Sequence, residues 1–173
     1  GCYLRLICKG DDMARSGSFG FNYKKTYDAT VIPLPALITD LGSSPEGEFL
    51  FVQADGAIDQ YAFVKIEADG QAAMLTTTNA GSNNLQVGVA QVAAADNEYL
   101  WVWVGGVGGG GAGTGIKGKL AASYAAKANI NTTATAGVGD DASTTKVQNV
   151  VGLTTLTGAG TVELKSTGYL TVN

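Results

Sequence analysis

The segment of this chain best suited to chemistry is a run of glycines. Gly105–Gly118 reads GGVGGGGAGTGIKG, and within it Gly113-Thr114-Gly115-Ile116-Lys117-Gly118 fits G-x-G-x-x-G. In that pattern bare backbone amides take the phosphates of a dinucleotide, provided that a helix opens at the third glycine within a strand–helix–strand unit. The residues that follow, Lys119-Leu120-Ala121, carry no such signal. Read as a P-loop, the segment sets Leu120 where a hydroxyl must hold magnesium. With eight glycines between 105 and 115, matches of this kind arise by chance. The expectation is a long flexible surface loop.

Carboxylates come next. Glu46/Glu48 and Asp140/Asp141 are the closest pairs, and acid–base work needs one member with a raised pKa in a cleft. Each pair sits beside Gly or Pro, so solvated turn acids are expected. A Ser-Lys nucleophile could be drawn from Ser123 with Lys119 or Lys127, although nothing marks these residues out. The chain has no histidine, which removes every Ser-His-Asp and Cys-His arrangement and the commonest zinc ligand. Cys2 and Cys8 match no zinc spacing and read as isolated thiols. These features predict a protein without catalytic residues, cofactor or metal.

Tyr99, Trp101 and Trp103 alternate along Tyr99-Leu100-Trp101-Val102-Trp103-Val104. In a strand the aromatics share one face, and Leu100, Val102 and Val104 share the other. Both faces apolar means both faces covered, so the stripe is read as core or subunit interface, with a glycan platform as the rival.

The elements that must position these residues read as β. Strands are expected at 49–53, 61–66, 71–78, 87–92, 99–104, 116–121, 147–153, 161–164 and 169–172. Asp55-Gly56 and Asp69-Gly70 supply signals for two-residue hairpin turns. Only Ala121–Ala128 has helix-favouring composition, for one short helix at most. Many short strands with frequent turns predict an all-β sandwich or small barrel over residues 46–173.

Residues 1–45 hold no sustained period and read as an extended N-terminal arm, expected to lie on a neighbouring chain. Met13-Ala14-Arg15-Ser16 resembles a translation start, with residues 1–12 as an upstream extension. Charge divides along the same line: residues 1–25 carry net +3 and residues 26–173 net −7. An acidic body repels phosphate backbones, so no nucleic-acid partner is expected. No apolar run approaches the ~20 residues of a membrane span, so no membrane partner is expected either.

Three stretches in order carry a resemblance: FLFVQADGAIDQYAFVKIEADGQAA between Glu48 and Ala73, VGVAQVAAADNEYLWVWVG from Val87, and NTTATAGVGDDASTTKVQNVVGLTT from Asn131. Together, over roughly residues 40–165, they resemble the capsid decoration (cement) proteins of tailed bacteriophages. The resemblance implies a β-tulip or β-barrel domain on the outer surface of the virion, bridging major capsid proteins, and commonly a homotrimer with an arm reaching across neighbours. Expected contacts with capsid or sister subunits are then Phe19, Phe21, Tyr23, Tyr27, Leu34, Leu37, Trp101 and Trp103. The rival function is a host-recognition head fibre or adhesin module that binds glycans through Trp101 and Trp103.

Overall fold

The computed structural model describes residues 23–28, 41–81, 85–142 and 145–173. All of their regular structure is β, in twelve strands with no helix. In chain order these are β1 (Thr26–Tyr27), β2 (Leu41–Ser44), β3 (Gly47–Ala54), β4 (Phe63–Ile66), β5 (Gln71–Met74) and β6 (Leu85–Ala90). They continue as β7 (Tyr99–Gly105), β8 (Lys117–Leu120), β9 (Asn129–Thr132), β10 (Gly139–Asp140), β11 (Lys146–Gly152) and β12 (Gly160–Val172).

Strands β7, β3, β5, β4, β6 and β12 pair in that order, and β12 touches β7 again at Tyr169↔Gly105, closing a six-stranded barrel. A direct β6–β7 pairing at Val89↔Trp103 and Ala90↔Val102 tightens the seam. β12 is thirteen residues long and also borders β11 and β8, and β11, β9, β10 and β8 complete a second ring against it. Most pairings are antiparallel; β3–β5 and β10–β8 are parallel.

Side-chain alternation fills two cores. Val52, Val64, Ile66, Leu100 and Val102 meet in one of them, from one face of the barrel strands. Phe49, Phe63, Val87, Val89 and Trp103, from the opposite faces, pack with Leu120, Ile130, Val147, Leu164 and Leu170 in the other. β7 is therefore covered on both faces, as its sequence requires.

Buried polar side chains join the parts by standing in for missing strand partners. Gln91 accepts from Lys117 N through Oε1 (3.0 Å) and donates Nε2 to Lys117 O (3.0 Å), tying the end of β6 to β8. Tyr124, fully buried, donates to Ala128 O (2.6 Å) and accepts from Gly152 N (2.8 Å). Burial pushes its phenol up, the Gly152 amide opposes that and the Asp141 charge adds to it. Without such partners these buried backbone groups would each cost about 1–3 kcal/mol.

Four sequence expectations change. Ala121–Ala128 forms two turns rather than a helix, with Ser123 and Lys127 at φ +67° and +64°. Asp55-Gly56 makes no hairpin, because β3 pairs in parallel with β5 and leaves β4 to the far side. Asp69-Gly70 does turn a hairpin, but through Ala68, Asp69 and Gly70, with Gly70 at φ +85° supplying the left-handed residue that a three-residue loop needs. The third and fourth C-terminal strands expected, 161–164 and 169–172, are one continuous β12.

Of residues 1–45, only 23–28 and 41–45 are described, and each of these stretches contributes a strand to the chain's own sheet. β1 pairs with β7 at Thr26↔Leu100 and Tyr27↔Tyr99, and β2 pairs with β3 from Leu41↔Leu50 to Ser44↔Gly47. Both add strands to the chain's own sheet, because β7 and β3 offer backbone edges that a two- or four-residue segment can satisfy.

Candidate functional site

The aromatic stripe divides. Trp103 is 0% exposed and its Nε1 donates to Glu46 O (3.1 Å). It is core, and as a contact residue for another molecule it offers no surface. Trp101 is half-buried against Phe51, ring centroids 5.0 Å apart. Tyr99 and Tyr27 pack on the same Phe51 ring at 5.7 and 5.9 Å, and Tyr23 stacks on Phe49 at 4.6 Å. The structure thus brings Tyr23, Tyr27 and Trp101 to a half-buried aromatic cover over Phe49 and Phe51. Phe19, Phe21, Leu34 and Leu37 lie outside the described residues, as do Cys2 and Cys8.

The glycine-rich segment is the larger surprise. Gly105, Gly106, Gly109 and Gly110 are buried, and the loop is held at almost every residue. Gly106 N donates to Gly168 O (3.1 Å), Gly110 N to Glu46 O (2.6 Å) and Gly111 N to Leu164 O (2.7 Å). Ser166, buried on β12, donates Oγ to Gly106 O (2.7 Å), and its amide donates to Gly109 O (2.8 Å). Lys165 Nζ reaches Gly108 O (2.8 Å). Glycines are required because Gly105, Gly106, Gly108, Gly110, Gly111, Gly113 and Gly115 all have positive φ. The loop is a fixed scaffold and not a flexible one.

Its second half shows what became of the nucleotide-like motif. Gly113 N and Gly115 N, the amides that a phosphate would use, donate instead to the carboxylate of Glu163 (3.0 and 3.1 Å). Ile116 then leads into β8 and not into a helix. The anion nest is filled from within by a residue 48 positions away.

The remaining candidates resolve similarly. Asp141 Oδ2 accepts from Ala125 N (2.7 Å), as a turn acid does, while Asp140 stands on β10 and its Oδ1 accepts from Asp141 N (2.7 Å). Lys119 Nζ pairs with Asp59 (2.7 Å), while Ser123 and Lys127 lie in exposed turns. Glu46 Oε2 accepts from Ser44 Oγ (2.7 Å) in the turn before β3. Glu48 departs from expectation: it lies on β3, its Oε2 is buried, and that oxygen has no hydrogen-bond partner. Among the described residues no cluster of three or more His, Cys, Asp or Glu is arranged to hold a metal, and no helix is long and apolar enough to cross a membrane.

Around Glu48 a surface emerges that sequence reasoning missed. Val107 is 94% exposed at the tip of the glycine loop, and Tyr169 is 46% exposed beside it. They are the exposed large apolar side chains among the described residues. An open cavity of about 150 Å³ is lined by Val107 together with Ser44, Pro45, Gly47, Glu48, Gly106, Gly108 and Gly109. The one visible signal was Val107 itself, a lone apolar residue inside the glycine run.

The Glu48 carboxylate beside Tyr169, first as a hydrogen-bond acceptor for the neutral phenol, then with burial and as a charge, pushes that phenol above the ordinary value of 10.0. The neutral phenol is favoured by the fold, so this contribution to stability is complete below pH 10.0 and is lost as pH rises through the higher folded value. Ultraviolet difference titration of the protein against Tyr169→Phe is expected to show this phenol ionising later than a free tyrosine. Glu48→Ala is expected to bring it back down. An unshifted Tyr169 would contradict the contact.

No family model matches the chain, and neither a curated protein nor a solved structure matches it.

Proposed function

We propose that this protein is a capsid decoration protein, binding the outer surface of a tailed-phage head and stabilising contacts between major capsid proteins. The reading rests on the ordered sequence resemblance over roughly residues 40–165. The observation that carries it further is the glycine loop, a rigid frame holding Val107 out in water. A shell-bound adhesive needs a preformed contact more than it needs chemistry, since a surface already ordered loses little entropy on docking. Many equivalent sites on a shell then make modest contacts sufficient. The glycan-binding alternative relied on Trp101 and Trp103 acting as a pair, and the enclosure of Trp103 leaves it Trp101 alone.

The test is cosedimentation of purified protein with phage heads that lack it, with bound copies counted by quantitative gel. Saturable binding over the whole shell is expected, with Val107→Asp about tenfold weaker and still folded, because that side chain touches little of its own domain. Binding of only a few copies at one vertex, or none, would overturn the proposal.

A further inference from the structure

The surface at Glu48 has a specific chemistry, independent of whether its partner is a phage shell. Three observations meet there. Glu48 Oε2 is buried without a hydrogen-bond partner, a costly arrangement for a charged group. The cavity beside it is walled by the backbone of Gly106–Gly109 and by Ser44, Pro45 and Gly47. Its rim carries Val107, almost fully exposed.

The charge of the site is set by acids. Glu46 stands one turn away with its Oε2 on Ser44, and Glu48 lines the cavity itself. The nearest cation along the loop, Lys165, is committed to Gly108 O and lines a different cleft, with Lys146, Asn129 and Asn149. What Glu48 Oε2 lacks is a donor. The carboxylate is an acceptor only, and a guanidinium or ammonium matches it best because charge-assisted bonds are about twice as strong as neutral ones.

We infer that the cavity beside Val107 receives an arginine or lysine side chain from a partner protein, its charged head meeting the Glu48 carboxylate and its aliphatic stem lying along Val107. The stem suits the rim because long cationic side chains cover apolar surface while their heads find polar partners.

The test uses the full chain and a capped pentapeptide carrying one arginine among leucine and glycine, with a twin carrying uncharged citrulline. Amide chemical shifts are followed at Ser44, Glu48, Gly106–Gly109 and Tyr169. The arginine peptide is expected to shift these residues saturably, with affinity reduced about tenfold or more by citrulline and by Glu48→Gln. The citrulline arm uses the unaltered protein, so a poorly folded variant does not blunt the test. Equal shifts from both peptides, or none, would overturn the inference. So would concentration-dependent shifts of the same amides without peptide, since a second copy of the chain would then be the occupant.

Discussion

Replacing Gly110 with alanine is expected to lower the unfolding free energy by about 2–5 kcal/mol. Gly110 sits at φ +67°, and a Cβ there would lie 2.2 Å from Leu164 O and 3.3 Å from Trp103 Cζ2. The left-handed conformation costs an L-residue about 1–2 kcal/mol. The collision is with backbone of β12, which cannot rotate aside, and forced overpacking adds about 1–3 kcal/mol. Gly113 separates the two causes: its φ is +79° and nothing lies within 4 Å of its would-be Cβ. Gly113→Ala should therefore cost only the conformational part, about 1–2 kcal/mol. Urea unfolding of both variants provides the measurement. Equal losses would mean that the loop is not packed against β12 as described.

Trp103→Ala is expected to be at least as severe, at about 3–5 kcal/mol, because it removes the largest wholly buried side chain and leaves a cavity between β3, β6 and β12. The indole also supplies one of two donors to Glu46 O, the other being Gly110 N. The two sites are thus coupled through one carbonyl, and combining them should cost less than the sum of the single losses. Trp103→Phe keeps most of the packing and loses the donor, so its loss should be well below that of alanine. The two variants together distinguish core packing from a solvent-facing role. If Trp103→Ala unfolded at the same urea concentration as the parent, Trp103 would not be core.

The sequence carried the strands best where both faces of a strand are decided by its own residues. Phe49–Gln53, Phe63–Ile66, Val87–Ala90 and Tyr99–Val104 alternate or run apolar throughout, and all four were legible. β9 was not, since Asn129–Thr132 contains one large apolar residue, Ile130, and is a strand because β11 and β10 flank it. The stripe of Tyr99, Trp101 and Trp103 was placed on one face correctly, but its split between half-buried and core depends on β12 and on the turn at Glu46. Composition misled most at 105–115. Glycine permits many conformations, and distant residues, Glu46 before β3 with Glu163, Leu164, Lys165, Ser166 and Gly168 on β12, select one of them. The same distance hid the fate of Gly113–Gly118. A pattern of glycines describes an anion nest equally well whether the anion is a nucleotide or a glutamate of the same chain.

Strand β12 belongs to both rings and to the floor beneath the glycine loop, so its thirteen residues form a party wall. Neither compartment can open without exposing the other's interior. A single cooperative unfolding transition is therefore the expected result of heating, with probes in the two compartments melting together.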